Sequence, residues 1–518
     1  MLRSLTLAAV LVLAPAALAA DPIPTSGPAP STAAFLGAPA TAKPIKGLIA
    51  PWSSPFMAPN PFGGVHNDPW QSDAYLQIAG PMGRSPKTLS SAIGRDCITL
   101  TFDSKGRIEA TCTNLMGPVL YLMDPSTLDV LATYTLPYVP PAGNPATNTT
   151  GGAYFFLDNK GRAVVATSDR KITVIRTDDS SGTPTFVQDA VYDPTPCLDP
   201  QDRMPSALPD AQGRYWFVGR TVGSVGVLDP KTGKCGGIVL NEEIENSFAV
   251  GSDGVYIATD KAQYKFTAGA DLKVKTVWRS KAYGNTGQTK PGQFNAGTGT
   301  TPTLIRGFTK ADRKKKAPAY VAITDNADPM DVNVYRTSNG SLVCSVPVFK
   351  KGASDTENSL ISMGRSLYVE NNYGYDLGSF NDYIPGPGGT MVPLGGDRSK
   401  VSEPGFARVD IAANGKSCKK AWENDTVRAP SVVPKGDARN GLIYTFENLK
   451  DDKVPDSDPW YWTAIDARTG KVVWKQMAGY GGEYNNHYAG IAIFRDPKTT
   501  EPTLYVGGVG GLMALRDG

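Results

Sequence analysis

Short apolar runs separated by tight polar turns recur along this chain from Ile98 to the C-terminus. Each copy begins with one run and turns at Asp/Ser/Asn-x-Gly. Two further runs follow, and a second turn leads into a last one. Ser247-Phe-Ala-Val-Gly-Ser-Asp-Gly-Val-Tyr-Ile-Ala-Thr-Asp260 and Ser359-Leu-Ile-Ser-Met-Gly-Arg-Ser-Leu-Tyr-Val-Glu370 are two such openings, preceded by Glu245-Asn246 and Glu357-Asn358. Runs this short, bounded by glycine turns, predict β-strands. Four strands recurring roughly every 40–60 residues predict an all-β fold, a β-propeller. First strands begin near Ile98, Ala153, Ser206, Ser247, Thr303, Ser359, Ser431 and Ala489, which makes eight four-stranded blades; one irregular copy would leave seven. The last copy supplies three strands, 489–494, 503–507 and 511–516. Its fourth is expected from residues 74–79 (Ala-Tyr-Leu-Gln-Ile-Ala), so that N- and C-terminal strands close the ring and remove its open edges.

The chain divides accordingly. Residues 1–20 carry Arg3, an apolar stretch and small residues around Ala19, the pattern of a secretory signal peptide and too short to span a membrane. Residues 21–73 form a Pro/Ala-rich N-terminal extension, whose stretch to residue 62 reads as a flexible exported tether. Residues 74–518 are read as a single propeller domain. Export to the periplasm or outside the cell means an oxidising compartment, so the six cysteines allow up to three disulfides. Cys97 and Cys112 flank one hairpin turn and can bridge its strands; the remaining pairing is open. A net charge of +3 gives no footprint for nucleic acid. The basic run at 310–316 reads as a solvated turn.

The turn between third and fourth strands carries a motif, Ala464-Ile-Asp-Ala-Arg-Thr-Gly-Lys-Val-Val-Trp474. Partial copies occur at Val225-Gly-Val-Leu-Asp-Pro-Lys-Thr-Gly-Lys234, Leu120-Tyr-Leu-Met-Asp-Pro-Ser-Thr127 and Val409-Asp-Ile-Ala-Ala-Asn-Gly-Lys416, and Trp278 and Trp422 also end fourth strands. Asp caps a tight turn, Gly supplies a positive φ and Trp buries a large apolar area. The motif resembles the repeat of quinoprotein dehydrogenases and related eight-bladed propellers. That resemblance implies a tryptophan docked between blades, and a site near the axis for Ca²⁺ and pyrroloquinoline quinone (PQQ). Quinoprotein alcohol dehydrogenases typically carry adjacent cysteines beside the quinone, and no two cysteines are adjacent here.

Strand polarity sorts the loops by face. The long excursions 282–299, 373–404, 449–459 and 479–487 share the face where first strands begin and second strands end. Polar residues concentrate at that level. Carboxylates interleaved with amide oxygens suit a hard cation such as Ca²⁺, and the candidate ligands are Glu245, Asn246, Asp325, Asn326, Glu357, Asn358, Glu370, Glu447 and Asn448. The same residue types also cap strand ends. His487 and Glu357 are the candidate proton-transfer groups. Arg203 and Arg428, each just before a Pro-Ser that opens a first strand, are candidates for an anionic substrate group. His66, the only other histidine, is expected toward the opposite face. Three functions follow: an oxidoreductase acting on a small organic molecule, a Ca²⁺-dependent lactonase or esterase, and a non-catalytic secreted propeller that binds a ligand or protein.

Overall fold

The computed structural model describes residues 21–114, 116–141, 148–308, 312, 314–375 and 402–518, and the backbone of 383–385 and 391–393. The signal segment 1–20 and part of the basic run at 310–316 lie outside the described residues. Eight four-stranded antiparallel blades form the fold. Blade 1 runs from Asp96–Phe102 to Val130–Thr135 and blade 2 from Phe155–Leu157 to Thr185–Tyr192. Blade 3 spans Ala207–Pro209 to Cys235–Val239, and blade 4 spans Ala249–Gly251 to Val274–Arg279. Blade 5 begins at Thr303–Ile305, blade 6 at Ile361–Met363, blade 7 at Lys435–Asp437 and blade 8 at Ala492–Arg495. Every first strand falls within a few residues of its expected start. First strands are buried and fourth strands are largely exposed, so the first strands line the axis.

The turn chemistry is as expected. Asp466 Oδ1 accepts the backbone N–H groups of Arg468 and Thr469, and Asp229 and Asp124 cap their turns likewise. First hairpins repeat a second device. In Asp103-Ser-Lys-Gly-Arg107, Asp158-Asn-Lys-Gly-Arg162 and Asp210-Ala-Gln-Gly-Arg214 the Asp caps the turn and pairs with the Arg four residues on. The fourth-strand tryptophans dock on the next blade. Trp278 covers Gly340 of blade 5 and donates Nε1–H to the Thr337 carbonyl at 2.8 Å. Trp422 of blade 6 covers Gly470 of blade 7. Those glycines have φ of 71° and 73°, and a Cβ on either would strike the indole. Disulfides join Cys97–Cys112 within blade 1, Cys197–Cys235 at the edge of blade 3, and Cys344–Cys418 between the outer strands of blades 5 and 6.

Two expectations about the N-terminal segment are corrected. The strand that closes blade 8 is Lys87–Ala92, paired antiparallel with Gly511–Arg516, and not residues 74–79. Only Ala74–Tyr75 of that stretch is a strand, and it pairs parallel with Lys435–Asp437 of blade 7. Nor is the preceding extension a free tether. Phe35–Gly37 adds to the outer edge of blade 7, and residues 64–75 wind around the axis along the inner edges of the blades. Gly64 bridges to Phe156 of blade 2. The carbonyls of Pro69, Trp70, Ser72 and Asp73 accept N–H groups from Val250, Leu304, Ser362 and Gly436, on blades 4 to 7 in turn. The physical reason is edge satisfaction: inner strands would otherwise present bare backbone donors to the channel. Among the described residues no helix is long and apolar enough to cross a membrane.

Candidate functional site

The segment that covers the inner edges also carries side chains to the axis. A cavity of about 50 Å³ is lined by residues leading into or within first strands, Ile98, Tyr154, Asn246, Thr301, Glu357, Asn358, Val433 and His487 among them, together with Phe294, Tyr488 and His66. Seven blades contribute, which places the cavity on the ring axis. It therefore contains both histidines. His66 was expected on the opposite side; residues 64–75 wrap inside the ring and bring it here.

Each histidine is held by a carboxylate. His487 Nδ1 lies 2.6 Å from Asp96 Oδ2, at the start of blade 1. His66 Nδ1 lies 3.1 Å from Asp73 Oδ2 and 2.8 Å from Ser359 Oγ. A carboxylate at Nδ1 fixes the proton there and leaves Nε2 as the basic nitrogen. Asp73 also pairs with the Lys435 ammonium, and both side chains are fully buried. Burial alone would raise the Asp73 carboxyl, but the Lys435 ammonium and the hydrogen bonds from His66 and Lys435 outweigh it and hold it below its ordinary range.

Glu357 and Glu245 lie against each other, both buried. Glu357 Oε1 accepts the Phe294 N–H at 3.3 Å, but Glu357 Oε2 and both Glu245 oxygens meet no donor among the described residues. Burial pushes Glu245 up to about 7, and burial with the Glu245 charge raises Glu357 well above the carboxylate range. Two carboxyls in this contact share a proton, so the pair carries a single negative charge. Asn246 accepts from the Tyr154 hydroxyl at 3.0 Å and Asn358 donates to the Val432 carbonyl at 2.9 Å, both fixing the cavity wall.

The remaining expected residues are not brought to this cavity. Asp325 caps its own strand end, accepting from Asp331 N and Asn333 Nδ2, and Asn326 is bonded to the neighbouring loop through Asn285 and Gln288. Glu447 is paired with Lys475 at 2.9 Å, and Asn448 donates to Asp458. Arg203 donates to the Val139 and Pro140 carbonyls, while Arg428 is half-buried beside Glu403 and Glu447. The ligand set expected for Ca²⁺ is thus divided between the axis and the ends of second strands, and among the described residues no group of three or more His, Cys, Asp or Glu side chains is arranged to hold a metal ion.

Glu370 sits behind Asn358, and burial raises it to about 8. The unfolded chain ionises this group near 4.5 and the folded chain near 8, so the folded state binds more protons between those values. Stability should therefore fall as pH rises through that window. Glu370→Gln should flatten the slope of melting temperature against pH; an unchanged slope would assign the dependence to other groups.

No family model matches the chain, and no curated protein matches it. Among solved structures it is similar to a europium-containing methanol dehydrogenase, with a TM-score of 0.55 and 14% identity over 88% of this chain and 98% of that one. It is also similar to BamB from Moraxella catarrhalis, with a TM-score of 0.45 and 10% identity over 81% and 91% of the two chains. Sqt1 from Chaetomium thermophilum gives a TM-score of 0.44 and 11% identity over 85% and 97%. At these identities the likeness is one of fold: an eight-bladed β-propeller. A likeness of fold carries no activity by itself.

Proposed function

We propose that this quinoprotein-like propeller is an exported enzyme that acts on a small organic molecule by general acid–base chemistry in the axial cavity. The observation that carries the reading is the convergence of two carboxylate-held histidines and Glu357, in contact with Glu245, on one axial cavity. His487, oriented by Asp96, takes a proton through Nε2, and the proton shared by Glu357 and Glu245 supplies the acid. Such separation of acid and base by environment is typical of catalytic sites and less so of passive binding pockets. Three disulfides support export.

Neither group implied by the fold fits the donor set. PQQ is a planar tricarboxylate, and among the described residues the cavity lining presents carboxyls and no Lys or Arg to meet it. Calcium takes about six to eight oxygens, whereas among the described residues no three His, Cys, Asp or Glu side chains are grouped to hold a metal ion. No step is therefore routed through either group. The test is a turnover screen on small esters, lactones and amines, with metal analysis and an absorption spectrum of the same preparation. Turnover that survives EDTA, from protein without a quinone band, is the expected result. A quinone band, or activity lost in EDTA and restored by Ca²⁺, would return the oxidoreductase or calcium-dependent hydrolase to first place.

A further inference from the structure

The atoms that lack partners in the cavity are all acceptors. Glu357 Oε2 and His66 Nε2, both in its lining, are buried and meet no donor among the described residues. A carboxylate beside His66 Nδ1 keeps that ring's proton on the far side, so Nε2 presents a lone pair. Buried acceptors without donors are costly, and a ligand that brings donors removes the penalty. The glutamate pair carries one negative charge, and no Lys or Arg among the described residues lines the space. Its walls are aromatic: Phe294 and Tyr488 meet edge to face at 4.9 Å, and His66 stacks on Tyr154 at 6.2 Å. Aromatic faces beside a carboxylate favour a cation. The cavity's about 50 Å³ admits on the order of three to five non-hydrogen atoms.

We infer that the axial cavity binds a small primary alkylammonium, its NH₃⁺ donating to Glu357 and His66 and its alkyl group against Phe294, Tyr154 and Tyr488. A primary ammonium matches on three counts. It is a monocation for a singly charged pair, it carries three donors for acceptors that lack them, and its alkyl part suits the aromatic faces. A quaternary ammonium brings charge without donors, an alcohol brings a donor without charge, and an anion brings neither. The inference names the substrate class of the proposed enzyme and rests on that reading for turnover, but binding can be measured whether or not turnover occurs.

The experiment is calorimetric titration of the full chain with ethylammonium, ethanol, tetramethylammonium, propionate and CaCl₂ in separate runs. Ethylammonium should bind about tenfold or more tighter than ethanol or tetramethylammonium, and propionate should give no heat of binding. Glu357→Gln should weaken ethylammonium by about tenfold or more, with the fold checked by circular dichroism. His66→Gln is the second variant, should the first misfold, and should weaken ethylammonium but leave ethanol unchanged. Equal binding of ethanol, binding of Ca²⁺ with no binding of ethylammonium, or ethylammonium affinity unchanged in a folded variant would overturn the inference. Ethylammonium binding without turnover of any amine would leave the inference standing and remove the enzyme reading.

Discussion

Replacing Lys435 by Met should destabilise the protein by about 3–5 kcal/mol, the cost of stripping a buried carboxylate of its partner. Lys435 and Asp73 are both fully buried, and the Lys435 ammonium also donates to the Val65 carbonyl. Methionine fills the same space without charge. It leaves Asp73 with only His66 and Ser359 as donors, in a site where burial already opposes its charge. The double variant Lys435→Met with Asp73→Asn removes both charges and should recover most of the loss, because the penalty lies in the orphaned ion and not in the missing pair. Urea unfolding of the wild type and the two variants, compared at equal m-value, measures it. A single-variant loss below about 1 kcal/mol would mean that the carboxyl is neutralised by a proton, and that Asp73 does not hold His66 as an anion. The depressed Asp73 also predicts a sign: its contribution is present above its unfolded value and is lost as pH falls through the folded one.

That pair bears on what the sequence could and could not reveal. Eight first strands were legible because they are largely buried, and because their turns use local chemistry: Asp103 to Arg107, Asp158 to Arg162 and Asp210 to Arg214 need only their own five residues. Tryptophan docking was legible because Trp278 and Trp422 meet glycines that the same repeat supplies one blade later. The segment that plugs the axis was not. It is held by the carbonyls of Pro69, Trp70, Ser72 and Asp73, and backbone pairing of this kind imposes no side-chain period. The same gap explains the closing strand. Residues 74–79 are more apolar than Lys87-Thr-Leu-Ser-Ser-Ala92, yet the latter pairs with Gly511–Arg516 along its whole length. With the plug unread, His66 was assigned to the wrong side, and half of the cavity's chemistry with it. One signal was available: His66-Asn-Asp-Pro-Trp-Gln-Ser-Asp73 is dense in polar residues around a tryptophan, unlike the Pro/Ala-rich chain before it. At the site itself the outcome was mixed. Glu245, Asn246, Glu357, Asn358 and His487 converge because each leads into a first strand, at the axis. Asp325, Asn326, Glu447 and Asn448 end second strands, one position farther out, and are used to cap loops or pair with a neighbour.

The difference between the two histidines gives the second large effect. His487→Gln should lower kcat by about 10² to 10⁴-fold on any substrate the enzyme turns over, the usual contribution of a positioned general base. Glutamine fills the space of the ring but cannot take a proton at the Nε2 position. Asp96→Asn should produce a loss of the same kind while leaving His487 itself in place. An amide facing Nδ1 can donate where the carboxylate could only accept, so the ring would favour the tautomer with its proton on Nε2, the wrong one for a base. His66→Gln should instead raise KM with kcat little changed, because His66 Nε2 holds the ligand and does not move its proton. The three variants thus divide chemistry from binding within one cavity, by a split of kcat against KM that general loss of structure would not produce. If His487→Gln and Asp96→Asn retain wild-type kcat in folded protein, His487 is not the base. The His487–Asp96 pair would then be an anchor between blades 8 and 1, and the acid–base reading would have to rest on Glu245 and Glu357 alone.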